Sequence, residues 1–151
     1  MRRPLKDTEN LRLLADNYIG NLAYISQNKP FVVPITYFYN KEKNAIIGYS
    51  AMGHKIRGMR ENRDVSLLVT DVNSVSSWKS ILVHGTYEEL SNSEAKAQMH
   101  TFSLGVKHLV VNNEFRTVDF IEEFSSKIDT ADYPIVFLIN IDEVTGRIRT
   151  E

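Results

Sequence analysis

Ser50, Gly53, His54 and Lys55 stand close together in the run Asn44 to Val65, NAIIGYSAMGHKIRGMRENRDV. A hydroxyl, a glycine and basic side chains at a strand-to-helix junction are the parts of an anion site. Backbone N–H groups at a helix start point into one space. Lys55 adds a point charge there and His54 a further donor. The reading expects Tyr49-Ser50 to end a strand, Gly53 to allow a tight turn, and a short helix through Ile56, Met59 and Arg60 to follow. Neither GxxxxGK[ST] nor GxGxxG is present, so this is not a phosphate loop of those kinds. A charged turn before a solvated helix start is the alternative, and these residues alone leave both open.

A second segment suits a flat ligand. Val33-Pro34-Ile35-Thr36 lies inside FVVPITYFY, a run dense in β-branched and aromatic residues. Proline cannot donate to a strand ladder, so Pro34 implies a barrel edge, a bulge or a ligand-facing stretch. The N–H and C=O groups of such a strand can read the polar rim of a heteroaromatic ring. Ser50 and Ser80 offer hydroxyls nearby. Trp78 is open to stacking, to covering a seam or to filling core.

Other chemistries find little support. The chain has no cysteine, which excludes disulfides, thiol catalysis and cysteinyl metal sites. His54, His84, His100 and His108 form no HExxH and no ligand-spaced pair, so no metal site is expected. GxSxG is absent, which removes the usual frame for a serine triad. A formal charge of -1 and scattered cations give no basic stripe for nucleic acid. No apolar run approaches the roughly 20 residues of a membrane helix, and the amino terminus is not a secretory signal. A cytoplasmic protein is expected.

The elements that must position these groups can be read along the chain. With 151 residues and 42% hydrophobic content, one domain with a real core is expected. A helix is predicted over 8–18, with Leu11, Leu14 and Ala15 on one face and Gly20-Asn21 as its stop. Strands follow at 22–26, 31–39 and 45–50, read as an antiparallel meander. After the short helix come strands at 65–71 and 78–90, separated by a polar loop at 72–77. Gly85 signals a bulge, a bend or a close backbone approach. A helix is expected over 93–102, with 104–116 ambiguous, then an amphipathic helix from Val118 to Ile128. A last strand begins after Pro134. About six strands with flanking helices fit a small antiparallel barrel, whose closure removes exposed edges.

The ordered set IGNLAYIS, KPFVVPITYFYN, AIIGYSAMGHKIRGMRENRDVSLLV, WKSILVHGTYEEL and YPIVFLINIDEVTGR resembles the pyridoxamine 5'-phosphate oxidase-like family. Within it, the set is most similar to the nitroimidazole-reductase-like flavoproteins. The resemblance implies a mainly β fold, a six-stranded antiparallel split β-barrel with flanking helices. It implies a homodimer binding FMN in clefts at the subunit interface. Val33, Pro34, Ile35 and Thr36 would line the isoalloxazine through their backbone. Tyr49 and Ser50 would contact the cofactor, His54 and Lys55 would match the basic phosphate-binding pair, and Ser80 would lie near the cofactor. Nitroimidazole-reductase-like members usually carry histidine where this chain has Tyr49. The implied activity is electron transfer from a reduced donor such as NAD(P)H to a small acceptor: a nitroaromatic, a quinone or a flavin. The alternatives are a haem-binding split barrel, with His54, His84 or His108 as axial ligand, and a non-catalytic dimer that binds or senses flavin.

Overall fold

The computed structural model describes residues 1–114 and 135–151. The helix expected from Val118 to Ile128 lies outside the described residues. The element order is β1 (Arg2–Pro4), α1 (Asp7–Asp16), β2 (Ile19–Ser26), β3 (Lys29–Thr36), β4 (Phe38–Asn40), β5 (Ala45–Ser50), α2 (His54–Glu61), β6 (Asp64–Ser74), β7 (Ser77–Glu89), α3 (Asn92–Glu114) and β8 (Ile135–Arg149).

The described strands form one sheet of eight, ordered β3-β2-β6-β7-β8-β5-β4, with β1 on β8. The two edges of that path, β3 and β4, are neighbours in sequence with only Tyr37 between them. Two peptide links span at most about 7 Å, so the sheet must curl until its edges meet at this corner. That is a barrel, and it is split. The β4–β5 register runs through Phe38 opposite Ile47. Carried two and three steps further it would set Thr36 against Tyr49 and Ile35 against Ser50. Instead β3 pairs with β2, while Tyr49 and Ser50 pair with β8. The strands part at Tyr37, so β3 and the end of β5 do not pair.

Tyr37 holds the corner. It is fully buried, its N–H donates to the Tyr18 carbonyl at 2.8 Å, and its hydroxyl donates to the Leu14 carbonyl at 2.8 Å. This overturns the single strand expected over 31–39 and the three-strand meander. A run that alternates without a break cannot signal that its last residues change partner.

The barrel interior takes alternate residues, as a pleated strand requires. Leu22 and Tyr24 of β2, Leu67 and Val69 of β6, Ile81 and Val83 of β7, and Phe137 and Ile139 of β8 meet there. A second core lies outside β5 and β8, where Ile47, Val136 and Leu138 pack on Met99, Phe102 and Val106 of α3. Residues 45–48 of β5 and 136–139 of β8 are therefore buried on both faces, which explains their unbroken apolar runs.

Several local expectations move. Helix α1 ends before Gly20, which lies inside β2, where an added Cβ would approach Leu67 Cδ1 to 2.9 Å. Its buried face is Asn10, Leu13 and Leu14, with Leu11 and Ala15 outward. The polar loop at 72–77 is mostly strand, closed tightly between Ser74 and Ser77. Helix α3 continues through Gly105 because Phe38 occupies the space of a side chain there: a Cβ would lie 2.2 Å from Phe38 Cε1. Gly85 behaves as expected, with a register shift between His84 and Gly85 and the Asn140 carbonyl 2.5 Å from a would-be Cβ.

Candidate functional site

Helix α2 begins in electrostatic conflict with itself. The positive end of a helix dipole favours acidic residues, yet the first turn of α2 has none and carries His54 and Lys55. Its N-cap is Gly53, so no side chain caps it. The first helical bond runs from the Arg57 N–H to the Gly53 carbonyl at 3.1 Å. The N–H groups of His54, Lys55 and Ile56 therefore lack helical acceptors. Among the described residues no carboxylate lies within ion-pair distance of Lys55, which is half-buried, and burial pushes its ammonium below the usual lysine range.

Gly53 has extended backbone, φ -174, a conformation open to any residue, so the turn here does not depend on the conformational freedom of glycine. An added Cβ would meet only the Ala51 carbonyl, at 3.9 Å. The space around such a Cβ is otherwise open.

His54 is exposed but held. Its Nδ1 lies 2.7 Å from the Tyr24 hydroxyl, and its ring meets the Phe31 ring edge-on at 4.6 Å. Tyr24 and Phe31, opposite one another on β2 and β3, stack at 5.5 Å. Gly58, one turn along α2, lets the helix settle on Tyr24: a Cβ there would stand 2.9 Å from Tyr24 Cδ2. At its other end α2 is tied to β7 by Arg60, whose Nε and Nη2 each donate to Glu89 at 2.8 Å.

Strand β3 is one edge of the described sheet. Gln27 and Asn28 both have positive φ, 51° and 62°, the pattern of a type I′ turn between β2 and β3. Such a turn makes Ser26 and Lys29 a hydrogen-bonded pair. Alternation then aims the backbone groups of residues 30, 32, 34 and 36 away from β2. Pro30 and Pro34 fall on these outward positions, where no ladder bond is lost. The free edge therefore presents the N–H groups of Val32 and Thr36 and the carbonyls between them. Of the options left open for Pro34, the structure selects an edge. Donors and acceptors alternating along an exposed edge suit the imide-like rim of a flat heterocycle.

Tyr49 and Ser50 end β5, paired with Val136 and Ile135 of β8. The Tyr49 ring is half-buried and packs edge-on against Phe102 of α3 at 5.0 Å. Burial pushes its phenol above the usual tyrosine range. The Ser50 hydroxyl donates to the Ala51 carbonyl at 2.8 Å.

Ser80 does not join them. It faces outward from β7, opposite Thr70 and Arg147. Strands β2 and β6 lie between its strand and β3, so about 14 Å of sheet separates it from the β3 edge. Farther along this outer face the residues are largely apolar. The row Pro34, Asn21, Leu68, Leu82 crosses the same outer face, and Ile19, Val32 and Val72 project from it, 59%, 65% and 65% exposed.

Comparison with known proteins now bears on this site. A family model described as pyridoxamine 5'-phosphate oxidase matches residues 6–148. The chain belongs to that family. Among relatives, it is 31% identical over 137 residues to the uncharacterized protein RA0666 of Rhizobium meliloti, covering 89% of this chain and 87% of the other. A FAD-binding protein from Mesorhizobium loti superposes with a TM-score of 0.77 at 28% identity, over 100% of this chain and 98% of that one. A putative 5-nitroimidazole antibiotic resistance protein from Bacteroides thetaiotaomicron gives 0.68 at 14% identity, over 98% and 89%. At 14% that likeness shows the fold. The split barrel expected from the sequence is thus the fold of this pyridoxamine 5'-phosphate oxidase family member. Its described strands number eight rather than six, because β1 was not foreseen and FVVPITYFY divides in two.

Sequence reasoning missed Tyr24, Phe31 and Phe102. Alternation in IGNLAYIS marks Tyr24 as inward, but nothing local signals that its hydroxyl reaches His54. Among the described residues no helix is long and apolar enough to cross a membrane.

Proposed function

We propose that this protein binds FMN between two copies of the chain and uses it as an oxidoreductase. The observation that carries the reading is the uncapped, cation-bearing start of α2, whose His54 ring packs on Phe31 of the edge strand β3. Lys55, His54 and the open N–H groups suit a phosphate dianion. The β3 edge suits the rim of an isoalloxazine. When bound, FMN supplies the electron transfer between a reduced donor such as NAD(P)H and a small acceptor.

The chain's own residues bind, orient and exclude water. Lys55 neutralises phosphate charge, and its partial desolvation strengthens that attraction. Val32 and Thr36 N–H groups and the neighbouring carbonyls fix the plane of the ring, with Val33 and Ile35 anchoring β3 to β2. Tyr49, locked by Phe102 and protonated, is a hydrogen-bond donor at the end of β5. Ser80 of the second copy supplies the hydroxyl that one chain cannot bring to the β3 edge. The apolar outer face of Ile19, Val32, Leu68 and Leu82 is the surface by which copies associate, since patches of this kind mark interfaces. No side chain is needed as a nucleophile.

FAD in place of FMN is a second reading, supported by the likeness to the Mesorhizobium loti protein. Lys55 would then meet a pyrophosphate, with one negative charge on each phosphorus in place of the FMN phosphate dianion. Titration of the apo protein with FMN and FAD tests both. Saturable binding of either with bleaching near ~450 nm on adding NAD(P)H supports a flavin enzyme. Binding without donor-dependent bleaching would leave a flavin-binding dimer and remove the proposed nicotinamide donor.

A further inference from the structure

We infer that Tyr24 is a positioning residue that holds His54 as an Nε2–H donor to the phosphate of the flavin nucleotide. The inference rests on the flavin reading above. Tyr24 is nearly fully buried, so its hydroxyl has few partners to choose from, and it lies 2.7 Å from His54 Nδ1. Two protonation states place a proton on the far nitrogen. In neutral His54, a Tyr24 hydroxyl donating to Nδ1 leaves the ring proton on Nε2. In protonated His54, Nδ1–H donates to the Tyr24 oxygen and Nε2 keeps its own proton. Only a neutral ring with Nδ1–H would leave Nε2 bare, and an anion at the start of α2 opposes that state.

The ring is also held against rotation. Phe31 meets it edge-on at 4.6 Å, and Tyr24 stacks on Phe31 with an interplanar angle of 16°. Gly58 admits the Tyr24 ring beneath α2 one turn beyond His54. Two adjacent strands and a helix therefore converge on one imidazole at the protein surface. A solvated helix-start histidine would need none of this. Metal-ligating histidines are oriented by the same device, a partner on one ring nitrogen that fixes the chemistry of the other.

The test is a double-mutant cycle in two ligands, FMN and riboflavin, which differ by the phosphate. Tyr24→Phe keeps the stacked ring and deletes the hydroxyl. It is expected to weaken FMN about fivefold and to leave riboflavin unchanged. In a His54→Ala background, Tyr24→Phe should have no further effect on FMN, because its influence passes through His54. Equal losses for both ligands, or a loss that persists without His54, would overturn the inference and leave Tyr24 a packing residue. If His54→Ala leaves the FMN-to-riboflavin affinity ratio of the wild type intact, the phosphate role of His54 falls, and the inference with it. Nitrogen-15 NMR of His54 in the apo protein gives a readout free of the cofactor. A proton on Nε2 near neutral pH supports the inference, and a neutral Nδ1–H tautomer contradicts it.

Discussion

Lys55→Ala is predicted to weaken FMN at least tenfold while leaving riboflavin within about twofold. Two unit charges about 4 Å apart attract by about 4 kcal/mol at an effective dielectric near 20. Desolvation of the phosphate and the ammonium opposes most of that. Lys55 is already half-buried, and its lowered pKa reports that part of its own desolvation is present in the free protein. If a third of the attraction survives, the loss is about 1.4 kcal/mol, or tenfold. The same change removes a cation from the positive end of α2, so the apo protein should not lose stability. The pH dependence has a definite sign. Burial lowers the Lys55 pKa in the free protein, and a bound phosphate raises it. The affinity that Lys55 contributes is therefore full below the free-protein pKa and is lost as pH rises through that of the complex. Fluorescence titration with both ligands reads these effects. An unchanged FMN affinity in a folded variant, or equal losses for FMN and riboflavin, would refute the phosphate assignment.

Further predictions address the surfaces around that site. Leu82→Glu puts a charge at the centre of the outer apolar face, where Leu82 and Leu68 are 36% and 37% exposed. It should leave the chain folded but monomeric by sedimentation, with flavin affinity lost. A dimer that persists would place the interface elsewhere. The β3 edge is tested by moving proline. Pro34→Ala should change stability by less than about 1 kcal/mol, because residue 34 faces away from β2. Val33→Pro should cost about 3 kcal/mol or more, because the Val33 N–H is bonded into β2. Similar thermal shifts for the two variants would mean that the alternation along β3 is misassigned.

The strand-to-helix junction at the candidate anion site was legible because its parts are local. Ser50, Gly53, His54 and Lys55 are close in sequence, and the strand-to-helix junction falls where hydropathy and Gly53 place it. Gly85 was legible because a glycine inside a strand pattern has few explanations, and a carbonyl pressed against it is one of them. The corner at Tyr37 was not legible. FVVPITYFY keeps one period throughout, while the change from β2 to β5 as partner depends on Tyr18 and Leu14 at a distance in sequence. Gly105 misled in the opposite direction. Its low helix propensity argues for a break, but the helix runs on because Phe38 fills the place of a side chain. The clamp on His54 joins residues 24, 31 and 54, and local sequence patterns do not describe such contacts. Ser80 was correctly placed on a strand, but which face it occupies, and hence its separation from Lys55, needed the register of β6 and β7.

The central claim is that a flavin nucleotide binds at the edge of β3 and the start of α2. The most direct test is the absorption spectrum of the protein as purified, with the mass of any released chromophore. The account predicts bands near ~375 and ~450 nm and a released mass matching FMN. A Soret band, or a colourless protein that also fails to take up added FMN and FAD, would contradict it.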